Sequence, residues 1–138
     1  MLGDVIYEGI QLVLYACVHD ISLSLPSNLD RIPLHDEVFV ISQLWGTEVY
    51  HRMVDTVPRL APFVDFLNAN PEIRIVAPQV GGRLAERLEI IGLNSSRLVT
   101  GVVRAKVVYE PRKTVCGFAS VQETQTLSSL YRDYIERI

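Results

Sequence analysis

The chain has 138 residues, of which 49% are hydrophobic and 21% charged, and a formal net charge of −3. That length and apolar share suit one globular domain with its own core and exclude the low-hydrophobicity, high-charge balance of a disordered chain. The charge leaves no basic footprint, which counts against nucleic acid and anionic membrane surfaces as main partners.

Residues 1–25 mix Val, Ile, Tyr and Leu without a clean period of 2 or 3.6, so helix and strand both fit, with strands slightly favoured. Gly9 to Val18 is apolar but falls short of the roughly 20 residues that span a bilayer, and no Lys or Arg precedes it, so no export signal is expected there. Pro26-Ser27-Asn28 and Ile32-Pro33 bracket a polar connection. Glu37-Val38-Phe39-Val40-Ile41-Ser42 then reads as a buried strand ending before Trp45-Gly46. Thr47 is suited to cap a helix whose apolar positions Val49, Met53, Val57, Leu60, Val64 and Leu67 recur at spacings of three and four. Pro58 and Pro62 lie inside that pattern and predict a kink or break near its middle, with Asn68 to Pro71 closing it.

Ile73-Arg74-Ile75-Val76 reads as a strand, Gly81-Gly82 as a loop, and Arg83 to Ile91 as a helix stopped by Gly92. Asn94-Ser95-Ser96 is a glycosylation sequon where a surface loop is expected, which makes Asn94 a candidate for modification. Val102 to Tyr109 alternates Val103, Ala105 and Val107 with Arg104 and Lys106, the pattern of a half-exposed strand ended by Pro111. Thr124 to Ile138 carries Leu127, Leu130, Tyr131 and Tyr134 at helical spacing. The order of elements predicts an α/β domain with a mainly parallel sheet and helices on both faces. Residues 1–36 are an amino-terminal segment that could add strands, 37–123 the α/β body, and 124–138 a carboxyl-terminal helix.

His51, Asp55 and Arg59 fall at i, i+4 and i+8, along one stripe of a helix that follows a strand and a Trp-Gly turn. Ligands in open α/β sheets bind beyond the carboxyl ends of the strands, where a histidine or carboxylate within reach of a hydroxyl could remove its proton. Against that stands an ordinary surface ion pair between Asp55 and Arg59, with His51 solvated beside it. Trp45 is either a core anchor or a platform for a sugar ring. Gly81-Gly82 lacks dinucleotide and P-loop spacing. His19-Asp20 and His35-Asp36, with His51 and Asp55, supply metal-ligand types, but no pair has the i, i+4 histidine spacing of a zinc helix. Cys17 and Cys116 lie far apart without metal-ligand spacing and are expected as two buried free thiols.

The segment Trp45-Gly46-Thr47-Glu48-Val49-Tyr50-His51-Arg52-Met53-Val54-Asp55-Thr56-Val57-Pro58-Arg59-Leu60 resembles the Tyr-His-x-x-x-Asp-x-x-Pro-Arg region of glycosyltransferase family 61. The similarity continues through Ile73 to Pro78, Leu88 to Leu93 and the strand ending Val108-Tyr109-Glu110-Pro111, so that it covers roughly residues 37–138 by pattern. It implies the amino-terminal, acceptor-side half of a GT-B type architecture, with His51 and Asp55 as catalytic positions and Trp45 and Arg59 in substrate binding. The family resemblance also implies a UDP-sugar donor used without metal, a protein or glycan hydroxyl as acceptor, and work in the endoplasmic reticulum or Golgi lumen. The donor half with its nucleotide-binding arginines has no counterpart in these residues, so the fragment is expected to be inactive by itself. An alternative from another class is a non-catalytic α/β module that pairs with itself or with a donor domain through Leu127, Leu130 and Tyr134.

Overall fold

The computed structural model describes residues 5–7, 10–12, 28–41, 57–77, 83–111 and 120–138. Val38-Phe39-Val40 and Ile75-Val76-Ala77 are short runs of β-branched, aromatic or small apolar residues, and they form the buried ends of two neighbouring strands, β3 (Leu34–Val40) and β4 (Arg74–Ala77). With β1 (Val5–Tyr7), β2 (Ile10–Leu12), β5 (Leu98–Thr100) and β6 (Val103–Tyr109) they make one sheet in the order β2-β1-β6-β3-β4-β5. The strands β1, β6, β3, β4 and β5 pair in parallel, and among the described residues only β1 with β2 is antiparallel. The predicted mainly parallel α/β sheet is therefore present, and the favoured strands of the first 25 residues include a hairpin on its edge.

Helix α1 (Val57–Leu60) runs through a 3₁₀ turn at Ala61–Phe63 into α2 (Val64–Ala69). Pro62 stands at the start of that turn, and Pro58 lies in α1. The expected break falls at the 3₁₀ turn, and the apolar stripe Val57, Leu60, Val64 and Leu67 is buried as its spacing predicts. The residues assigned to the earlier part of this helix, Thr47 to Thr56, lie outside the described residues.

Helix α3 (Leu84–Ile90) ends in a paired-carbonyl cap. The Gly92 N–H donates to the Glu89 carbonyl at 3.0 Å and the Leu93 N–H to the Leu88 carbonyl at 2.9 Å, with Gly92 at φ 88°. Leu88 and Leu93 are both buried, which adds the apolar contact that accompanies this motif. Helix α4 (Val121–Arg137) starts three residues before its predicted start because Ser120 and Glu123 form a reciprocal capping box. The Glu123 backbone N–H donates to Ser120 Oγ at 3.2 Å, and the Ser120 N–H donates to Glu123 Oε2 at 2.6 Å.

Phe39, Ile41, Ile75 and Ala77 form one core with Leu60, Leu67, Leu84, Leu88 and Leu127, so all the described helices pack on one face of the sheet. Each fully buried leucine of this kind stabilises the fold by about 2 kcal/mol. Val38, Val40 and Val76 alternate with those positions, point to the other face, and are buried in a second cluster to which no described helix contributes. Helices on both faces were expected, and among the described residues they cover one.

Three further differences have local causes. β3 begins at Leu34, not Glu37, because its first half is held by pairing with β6 instead of by burial: Leu34 is 52% exposed, and Asp36 forms an ion pair with Lys106 at 2.7 Å. The strand thus crosses the boundary placed at residue 36. Val107 alternates in register with Val103 and Ala105 as the sequence pattern has it, but it is 40% exposed while the other two are buried. The α4 stripe is not an open face either: Leu127 is buried in the main core, and Leu130 and Tyr131 pack against it.

Arg97, 5% exposed, lies in the 3₁₀ turn Ser95–Arg97 and binds backbone alone. It donates Nη1 to the Leu67 carbonyl at 2.7 Å, Nη2 to Asn70 at 2.9 Å and to Ile73 at 2.9 Å, and Nε to Ile73 at 3.0 Å. Burial pulls its proton affinity down, yet a guanidinium stays charged. Replacing Arg97 by Met strips the Ile73 carbonyl of both its guanidinium donors and leaves Leu67 and Asn70 with only their local N–H bonds, and should lower the unfolding free energy by about 3 kcal/mol in urea titration, with Arg97→Lys recovering only part. Gly92→Ala meets nothing within 4 Å, so its cost is backbone strain alone and should be about 1 kcal/mol in the same assay.

Candidate functional site

In a parallel sheet the strand ends that carry ligand sites are the carboxyl ends, because helix N-termini and irregular backbone converge there. Here those ends are Val40 of β3, Ala77 of β4, Thr100 of β5 and Tyr109 of β6. The stretches that follow β3, β4 and β6 contain Trp45, His51 and Asp55, then Gly81-Gly82, then Cys116. All of these, with Cys17 and His19-Asp20, lie outside the described residues.

Arg59 is the one member of the predicted site that the structure describes. It sits in α1, whose residues Val57, Pro58, Arg59 and Leu60 are all buried, and it is 4% exposed. It has a partner within the chain, and its burial differs from the solvated surface position weighed from the sequence, while Asp55 lies outside the described residues. A guanidinium this deep acts on a ligand only through a cleft that reaches it.

Beside the carboxyl end of β6, Tyr109 donates its hydroxyl proton to Glu37 Oε1 at 2.8 Å, and its ring meets Phe66 edge-on at 5.3 Å. The hydrogen bond to Glu37 pushes the Tyr109 phenol up from its ordinary value, so it remains a donor at neutral pH. This pair bridges two strands and was not singled out in the sequence. Its only sequence sign is an acidic residue two positions diagonal to a tyrosine once the β3–β6 register, Glu37 against Val107 and Phe39 against Tyr109, is known.

Of the metal-ligand types read from the sequence, only His35 and Asp36 are among the described residues. His35 and Asp36 are successive residues of one strand and face opposite ways, Asp36 is paired with Lys106, and among the described residues no group of three His, Cys, Asp or Glu gathers. The Lys106 hydrogen bond and charge hold the Asp36 carboxyl below its ordinary value. The His35 Nε2 is buried without a hydrogen-bond partner among the described residues, and burial, then the nearby Arg74 charge, lower its affinity for a proton. Asn94 is exposed and caps the turn that leads to β5, its Oδ1 accepting the Ser96 N–H at 2.9 Å.

A groove of about 200 Å³ between the later turns of α3 and α4 is lined by Arg87, Ile90, Tyr131, Tyr134 and Ile135. Tyr134 belongs to this groove, so the stripe proposed for association is divided: Leu127 faces the core and Tyr134 the groove, with Ile135 66% exposed beside it. No family model matches the chain, and neither a curated protein nor a solved structure matches it.

His35 gives the fold a pH response with a definite sign. Its affinity for a proton is lower in the folded chain than in the unfolded one, so its contribution is full above the unfolded value of about 6.5 and is lost as pH falls below it. The urea midpoint should therefore drop between pH 7 and pH 5 by more in the unaltered chain than in His35→Gln, where that contribution is absent. Equal slopes would show that His35 does not titrate with unfolding.

Proposed function

We propose that the chain is the acceptor-side part of an inverting glycosyltransferase, similar to family 61, that presents a protein or glycan hydroxyl to a UDP-sugar held elsewhere. The observation that carries this is the order of elements. Residues 42–56, with Trp45, His51 and Asp55, follow β3, the strand that lies between β6 and β4 in a run of five parallel strands. A helix that follows such a strand begins where ligands of open α/β sheets bind.

In this mechanism Asp55 or His51 takes the proton of the acceptor hydroxyl as that oxygen attacks the anomeric carbon, and Trp45 offers an aromatic face to the sugar ring. The transition state is oxocarbenium-like, so acceptor positioning lowers the barrier on this side and stabilisation of the departing diphosphate belongs to the donor side. Several described cations have other duties: Arg97 binds backbone carbonyls, Arg83 pairs with Glu86, and Lys106 pairs with Asp36. That distribution supports a donor diphosphate bound by other groups.

Saturation-transfer NMR on the chain distinguishes the two sides. With a panel of xylo-oligosaccharides, N-glycans and Ser/Thr peptides, at least one should bind and lose binding in Trp45→Ala, while UDP and UDP-N-acetylglucosamine should leave no signal. Micromolar UDP binding without any acceptor signal would overturn the acceptor-side assignment. In a transfer-competent preparation, His51→Ala with Asp55→Ala should lower turnover at least ~100-fold, the usual size of a lost general base.

A further inference from the structure

Of the four asparagines, at 28, 68, 70 and 94, only Asn94 has a Ser or Thr two residues later. A sequon matters physically when its amide nitrogen is free and the glycan has somewhere to go. Asn68 and Asn70 both spend their Nδ2 on backbone carbonyls, of Gly92 at 3.2 Å and Phe66 at 2.8 Å. Asn94 does the reverse: Oδ1 accepts the Ser96 N–H, and among the described residues Nδ2 has no hydrogen-bond partner.

The neighbours of Asn94 fix it outward. Leu93 on one side and Arg97 on the other are buried, and the Ser95 N–H donates to Glu89 Oε1 at 2.7 Å, which ties the turn to α3. Between these anchors Asn94 and Ser96 are both exposed. The turn leads into β5, the last strand of the sheet order, so a bulky hydrated group here meets solvent and lies beside a sheet edge, where such groups discourage strand pairing with another chain.

We propose that Asn94 is an N-glycosylation site, used when the chain is in the secretory lumen and independent of the transfer reaction proposed above. The donor is a lipid-linked diphosphate oligosaccharide. The Asn94 Nδ2 forms a bond to its anomeric carbon, the bond from that carbon to the diphosphate oxygen breaks, the lipid diphosphate leaves with the electron pair, and the amide proton passes to a base of the transferring enzyme. The Ser96 hydroxyl completes the recognition unit.

Translation of the full chain behind a cleavable signal peptide, in the presence of microsomes, reads this directly. The protease-protected product should run larger by one glycan, return to its unmodified size with peptide N-glycosidase, and show no increment in Asn94→Gln or Ser96→Ala. Ser96→Ala keeps the backbone N–H that Oδ1 accepts, so its loss of the glycan cannot be assigned to a broken turn. A protease-protected product without an increment, or an increment that survives in Ser96→Ala, overturns the proposal.

Discussion

The buried guanidinium of Arg97 joins the end of α2, the turn into β4 and the start of β5 through one side chain. A helix ends with carbonyls that have no intrahelical partner, and α2 ends at Ala69 with Asn70 and Ile73 following in a tight turn. The Leu67 and Asn70 carbonyls each receive one local N–H, and with Leu67 and Ile73 in the core a donor from elsewhere in the chain serves their remaining lone pairs and the Ile73 carbonyl. Arg97 supplies a planar fork of donors from the residue just before β5, and its positive charge sits at the negative end of the α2 dipole. One side chain therefore closes α2, shapes the turn into β4 and fixes where β5 begins.

That constraint propagates into the sheet. With the entry to β4 fixed, Arg74 to Val76 take register against Val38 to Val40, and Ile75 and Ala77 come level with Phe39 and Ile41 on the face that receives the helices. Phe39 then meets Phe63 of the 3₁₀ turn with ring centroids 5.2 Å apart, which sets the helical run from Val57 to Ala69 across the sheet. The break at Pro62 lets this run bury the Val57–Leu60 turn and the Val64–Leu67 face against one surface, which one straight helix of the same spacing would do less closely.

What could be read from the sequence follows from what local residues decide. Apolar spacing found the helical run, α3 and α4, and Gly92 marked the end of α3, because these depend on residues three to five apart. β5 escaped because Leu98–Thr100 is only three residues long and holds its place by pairing with β4. The first half of β3 escaped because His35 and Asp36 are polar, and the pairing that keeps them extended comes from residues 70 positions later. Arg97 escaped for the same reason: a basic residue before a strand looks like any surface charge until the distant carbonyls it serves are in place. Ser120 and Glu123 had the spacing of a capping box, a local sign that was there to be used. Of the predicted site, the described residues settle only the burial of Arg59.

The division of labour between the buried polar groups bears on where chemistry could sit. Arg97 and Glu123 are both buried, and both bind backbone: one serves carbonyls at a helix end, the other an N–H at a helix start. Groups held so firmly cannot change partners during a reaction without loosening the fold. Tyr109 and Glu37 are tied to each other across two strands in the same way. A proton acceptor needs a free lone pair and room for a substrate oxygen beside it; Arg97 is a donor only, and Glu123 is buried against the start of its own helix. The polar side chains with that freedom should be sought in the connections beyond the strands' carboxyl ends, which a rigid sheet positions without using them to hold itself together.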